Sequence, residues 1–207
     1  MPDRIPADYE RQDIMKHLRF AVLLTSGLLI SAVAAQAQEK KMEAPKPGPE
    51  VKKLGYFADT WKSEGEIKQN PFMPAGKMTS TSKCEWFPGG FQIVCHEDGK
   101  APMGVMHGLG IMAYNPEEKV YTYAGIDNSG MSAAAKGHVD GDNWVYTSED
   151  KMGGKTYHGR YSMVTAAPDS YTFKYESSED ATNWMTIMEG KATKAAAKKA
   201  AAPAEKK

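Results

Sequence analysis

The chain has 207 residues, 26 basic against 26 acidic side chains, and 41% hydrophobic residues, with no formal net charge. That length suits one ordinary domain with extensions. The charge is unevenly spread: residues 191–207 carry six Lys against one Glu, leaving residues 38–190 at about −5, without the basic surface that nucleic-acid binding requires.

In chain order, Met15-Lys16-His17-Leu18-Arg19 is basic, Phe20 to Ala34 is apolar, and Ala35-Gln36-Ala37 supplies small residues. These are the n-region, h-region and A-x-A site of a secretory signal peptide over residues 1–37, cleaved near Ala37. The apolar run falls short of the roughly 20 residues a spanning helix needs, and Thr25, Ser26 and Ser31 interrupt it. The protein is therefore expected to be exported and periplasmic. Residues 38–53 are rich in Lys, Glu and Pro and read as a flexible leader. Glu50 to Phe57 suits a short helical turn against one barrel end.

From Trp61 to about Lys191, short β-type runs alternate with turn clusters every roughly 8–14 residues, the rhythm of an all-β sandwich or barrel. The strands are expected at about 61–68, 76–86, 91–98, 104–115, 119–127, 131–140, 143–150, 155–166, 170–178 and 183–192. Breakers separate them at Asn115-Pro116, Asn128-Ser129-Gly130, Asp140-Gly141, Gly153-Gly154 and Pro168-Asp169. Short connections make sequence neighbours sheet neighbours. A sheet with no second layer closes on itself. The expected fold is an antiparallel up-and-down barrel of about ten strands over 54–192, followed by an Ala/Lys-rich disordered tail at 193–207. Eight strands are just filled by side chains or hold one small ligand, so about ten leave space for a ligand.

Alternation orients several strands. Met78, Ser80, Ser82, Cys84 and Trp86 oppose a charged set and point inward, and the serines suit a wet or ligand-bearing interior. Tyr171, Phe173 and Tyr175 alternate with polar residues. On the strand containing Arg160, Tyr157, Gly159, Tyr161 and Met163 make the better inward set. Gly104, Gly108 and Gly110 share one strand face and mark either a bend or room for a ligand. The two cysteines, Cys84 and Cys95, lie opposite each other in a hairpin turning at Gly89-Gly90. In an exported protein this favours a disulfide over two reduced thiols.

Little in the chain suggests catalysis. His96, His107, His138 and His158 form no ligand-spaced pair, and neither a G-x-S-x-G elbow nor a phosphate loop occurs. The thirteen methionines are scattered as packing residues rather than clustered as copper(I) ligands. Arg160 is the one residue suited to clamping a ligand carboxylate. An isomerase- or hydrolase-like site would have to pair His158 with Arg160 or Asp127.

Leu54-Gly55-Tyr56-Phe57-Ala58-Asp59-Thr60-Trp61 resembles the "L…G-x-W" opening of lipocalin-like proteins, with Asp59 where glycine is usual. Cys84 to Phe91, Gly108 to Asn115 and Lys119 to Asp127 are similar to a family of secreted bacterial proteins of unknown function within the lipocalin-like (calycin) barrels. The resemblance spans about 50–192 and implies a ligand-holding barrel without supplying catalytic residues. The related nitrobindins hold haem through a histidine near the C-terminal strand; Asn183 to Glu189 has none, so no cofactor is expected. The reading is an exported barrel that binds a small hydrophobic or amphipathic molecule, lined by Trp61, Met78, Cys84, Trp86, Tyr171, Phe173, Tyr175 and Arg160. The alternative is a non-catalytic structural or envelope-interaction protein with a filled barrel, whose tail makes weak membrane-surface contact.

Overall fold

The computed structural model describes residues 44–196; the expected signal peptide, most of the leader and most of the tail lie outside these residues. The chain starts with a helix α1 (Pro49–Lys53), continued by a 3-10 turn (Leu54–Tyr56). Ten strands follow: β1 (Thr60–Ile67), β2 (Gly76–Trp86), β3 (Gln92–Ala101), β4 (Gly104–Asn115), β5 (Val120–Asp127), β6 (Ser132–Asp140), β7 (Asn143–Met152), β8 (Lys155–Ala167), β9 (Ser170–Ser178) and β10 (Met185–Lys194). Each is antiparallel to its sequence neighbours, and β1 pairs with β10, so the sheet is a closed barrel with up-and-down topology.

Side-chain alternation explains why these runs are strands. In β1, Trp61, Ser63 and Ile67 are buried while Lys62, Glu64 and Glu66 are exposed. In β2, Met78, Ser80 and Cys84 are buried against exposed Lys77, Thr79, Thr81 and Lys83. A one-residue slip would turn those charges into the interior, so the register is strongly specified. Two irregularities interrupt the ladders, one in β10 between Thr186 and Met188 and one in β8 between Val164 and Ala167. Ile187, at the first of these, is buried, and its carbonyl accepts the Lys68 N–H at 2.8 Å.

The β2–β3 hairpin keeps the expected register, with Cys84 opposite Cys95 and Lys83 opposite His96. Its loop is wider than a two-residue turn. Phe87 N–H donates to the Gln92 carbonyl, leaving residues 88–91 in the loop, and Gly89 and Gly90 take positive φ of 98° and 74°. Only glycine adopts two such conformations in succession without steric cost.

The helical segment closes one barrel end. Leu54 is fully buried, with Phe57 and Trp61 beside it. Fully burying one such side chain is worth roughly 1.5–3 kcal/mol. Polar tethers hold the plug: Tyr56 hydroxyl lies 2.8 Å from the Ala167 carbonyl and 2.9 Å from that of Ser170, and Tyr121 hydroxyl donates to Glu50 Oε2 at 2.9 Å. Trp61 Nε1 donates to the Phe57 carbonyl at 2.9 Å, so the indole is buried with its donor satisfied.

Candidate functional site

The interior has two halves. At the plugged end, Leu54, Phe57, Trp61, Ile93, Met112, Tyr121, Trp144, Met163 and Ala192 form one continuous core. Tyr171 packs there as well, with its ring centroid 4.9 Å from Trp61 and 5.7 Å from Phe57. The other half carries smaller and more polar inward residues. The registers place Ser63 opposite Ser80, Ser82 opposite Glu97, and Glu97 opposite Gly108. Tyr123, Ala135, Ser148, Gly159 and Tyr175 face them from β5 to β9.

Several inward glycines in this barrel are seats for aromatic rings. A Cβ on Gly110 would lie 3.0 Å from the Tyr123 ring, and one on Gly125 would lie 2.5 Å from the Tyr123 hydroxyl. Gly137 lies beneath Tyr146 in the same way, Gly159 beneath Tyr175, and Gly65 with Gly190 beneath Phe173. Of the β4 glycines, Gly110 makes room for a neighbouring tyrosine, whereas a Cβ on Gly108 would meet ordinary contacts and one on Gly104, which takes positive φ, would meet open space.

The wall is incomplete between β6 and β7. Their pairing runs from Asp140 opposite Asn143 to Lys136 opposite Thr147 and stops there. Ser132 to Ala135 still pair with β5, while Ser148 to Met152 pair only with β8. An open cleft of about 580 Å³ lies at this seam, lined mostly by outer-face residues such as Lys136, Glu149, His158 and Trp184 and touching the inner-face residues Tyr123, Ala135, Ser148 and Gly159. A second cavity of about 210 Å³ lies under the β1–β2 and β9–β10 loops, where Phe72 packs edge-on against Tyr157 at 5.1 Å.

Two hydroxyls on the inner wall, Ser80 Oγ and Tyr146 OH, are buried with no hydrogen-bond partner among the described residues. Burial raises the phenol pKa of Tyr161 well above the ordinary range, and it raises those of Tyr123 and Tyr171 too. The nearby charge of Glu97 adds to all three shifts. These phenols are neutral donors and acceptors at physiological pH.

The residues expected to line the site divide between regions. Met78 and Tyr175 lie on the inner face of the open half, while Phe173, 5% exposed, packs in the same continuous core as Trp61. Trp61 and Tyr171 instead belong to the plugged core. Cys84 and Cys95 are joined by a disulfide with Cα atoms 4.0 Å apart, on the inner wall near that core. Trp86 sits at the plugged rim, 37% exposed, where its ring lies against Gly55.

Arg160 corrects a sequence expectation. It faces outward, donating to Glu176 from Nε at 2.9 Å and from Nη2 at 2.8 Å, with its guanidinium 4.1 Å from the Trp184 ring. A nearly buried glutamate claims the fork that a ligand carboxylate would need. His158 also faces outward, 3.6 Å from Glu149, and Asp127 Oδ1 is taken up by the Ser129 and Met131 N–H groups. The pairings of His158 with Arg160 or Asp127 therefore do not form inside the barrel. His107 is exposed and bonded to Asp98 at 2.7 Å. No group of three metal-ligating side chains converges among the described residues.

Sequence reasoning passed over Glu97, although a signal for it was present. Cys84 points inward with Met78 and the serines, Cys95 opposes Cys84, and Glu97 lies two residues further along the same face.

A closed ten-stranded antiparallel cylinder, plugged at one end, has the fold of a lipocalin-like barrel. The chain belongs to the family described as "Protein of unknown function (DUF1579)", whose model matches residues 46–194. Among solved structures it is similar to Rv2717c from M. tuberculosis, with a TM-score of 0.52 and 11% identity over 72% of this chain and 99% of that one. It is also similar to the S-type phycobiliprotein lyase CPES from Guillardia theta, with a TM-score of 0.53 and 12% identity over 71% of this chain and 93% of that one. At such identities the likeness is one of fold. No curated protein matches the chain.

Proposed function

We propose that this protein is an exported barrel that holds a small, partly apolar molecule non-covalently in the open half of its lumen, reached through the β6–β7 seam. The observation that carries this reading is the open cleft of about 580 Å³ at the seam, with a mostly apolar lining and a few polar groups. That is the composition small-molecule sites require. The barrel of the lyase named above gives the reading a precedent of fold. Export rests on the signal-like segment, with cleavage near Ala37.

Native mass spectrometry of protein purified from its native source tests the proposal. The expected spectrum contains a retained small molecule, on a polypeptide that begins near Gln38. A bare polypeptide mass, with no rise in melting temperature against a panel of small amphiphiles, would count against a carrier. The densely filled plugged half favours a second reading, a non-catalytic structural or envelope-interaction protein, and that same negative result would put it ahead.

A further inference from the structure

The barrel segregates charge between its two faces. By register, His96, His107, His138, His158, Arg160 and the lysines within the strands face outward, apart from two at the ends. Lys194 lies at the plugged end, 3.5 Å from Asp59 and over Trp61 and Tyr56. Lys155 is exposed at the opposite rim and bound to Glu179 at 2.9 Å.

Between those ends, among the described residues, the inner face carries carboxylates and no cation. Glu97 projects from the middle of β3 and has no hydrogen bond or ion pair among the described residues. Asp150, on the inner face of β7, accepts only the Ser148 hydroxyl, at 2.9 Å. Asp127, at the mouth, is already engaged by its own turn.

A half-buried carboxylate ordinarily finds a cation or a set of donors. On the outer wall, Glu176 has both Arg160 and Lys174. Glu97 has neither. Its surroundings are aromatic: the Tyr123 ring lies against Gly110, two residues along β4 from the Gly108 that faces Glu97, and Tyr161 lies near enough for the Glu97 charge to raise its phenol pKa; aromatic rings attract ammonium groups. Ser80 is diagonal to Glu97 on the adjoining strand. It is 7% exposed, and its hydroxyl has no partner, so the acidic wall includes an unmatched buried polar group beside its free carboxylate.

We infer that the lumen takes an organic cation: a molecule with an apolar or aromatic body and an ammonium group directed at Glu97. This deepens the carrier reading and rests on it. It also excludes ligands whose recognised end is a carboxylate, because the one candidate clamp, Arg160, is outside the barrel and already occupied.

The experiment uses three fluorescent probes with one body: diphenylhexatriene bearing a trimethylammonium group, the uncharged parent, and its propionate derivative. Each is titrated into the full-length protein at low salt. The cationic probe is expected to bind about tenfold or more tightly than the propionate. Glu97→Gln should weaken the cationic probe about tenfold while leaving the uncharged parent within about twofold. Asp150→Asn should produce a smaller loss of the same kind, and it carries the test if circular dichroism shows that Glu97→Gln is unfolded. Lys100→Gln, on the outer face, should leave the ratio unchanged. Propionate binding as tight as the cation, or a charge preference untouched by both inner-face variants, overturns the inference and leaves the carrier reading intact. Binding by none of the three overturns both.

Discussion

Trp61 and Tyr123 are aromatic residues on the inner face of the same cylinder, yet Trp61 is 1% exposed and Tyr123 36%. The difference comes from what each half was given to enclose. At the plugged end, α1 and the 3-10 turn add Leu54 and Phe57 to a ring of large side chains, and Trp61 and Tyr121 find hydrogen-bond partners there. Toward the other end, inward positions mix glycines, small polar residues and tyrosines, no helix among the described residues covers the mouth, and β6 and β7 part. Ten strands make a wider cylinder than their own side chains fill evenly. This chain spends its bulk at one end, which secures the fold there and leaves the other end less densely filled.

The sharpest test of that division is a matched pair of truncations. Trp61→Ala should cost about 3–5 kcal/mol in chemical denaturation, the usual range for a large buried aromatic. Tyr123→Ala should cost about 1 kcal/mol or less, in line with a half-exposed side chain. Equal losses would mean that both halves support the fold alike.

The disulfide comes next. Replacing both Cys84 and Cys95 with Ala should lower stability by about 2–4 kcal/mol, measured against the wild type by urea unfolding. The bond joins strands beside the plugged core, so probe binding in the open half should change far less than stability does.

The glycine seats offer a third comparison. A Cβ at Gly137 would lie 2.7 Å from the Tyr146 ring and 2.9 Å from the Val145 carbonyl, and neither can move cheaply. Gly137→Ala should cost about 1–3 kcal/mol through overpacking. Gly125→Ala meets only the Tyr123 ring and its hydroxyl, at the open mouth. It should cost less in thermal denaturation while altering probe binding more.

The smallest effect concerns the β9–β10 loop. Asp180 is held far below the usual aspartate range, first by the Asn183 backbone N–H at 2.8 Å, then by the Asn183 side-chain amide at 2.7 Å and the Thr182 N–H at 2.9 Å. Its folded pKa lies below its unfolded one, so protonation favours the unfolded loop. The stabilisation is complete above about pH 4 and is lost as the pH falls through the folded value. Trp184 belongs to this loop and lies over Arg160. Its fluorescence should shift on acidification well before that of the core tryptophans, and Asp180→Asn should give a loosened loop already at neutral pH.

Much of this architecture was legible in the sequence. Ten strands are found where alternation and turn residues placed them, because a period of two with Gly, Asn, Asp and Pro between runs has a direct steric cause. The Cys84–Cys95 register followed from counting outward from Gly89-Gly90, even though the loop itself is wider. The alternation of Tyr157, Gly159, Tyr161 and Met163 gives the inward set of β8, and the same alternation turns Arg160 outward, away from the clamp its chemistry suggests. Its actual partner, Glu176, lies on β9, and no local pattern pairs the two. β10 begins at Met185 rather than 183 because the hydrogen bonds of Asp180 wind residues 180–183 into the loop.

By itself, then, the sequence determined which residues share a face and which runs become neighbours, since alternation and turn chemistry are local properties of the backbone. Only the tertiary structure decided how the cylinder is filled. Closure brings residues far apart in the chain onto one inner surface. There it laid each ring on a particular glycine, parted β6 from β7, and left Glu97 among tyrosines without a cation. Volume and charge balance across a lumen are sums over all ten strands, and no single strand contains them.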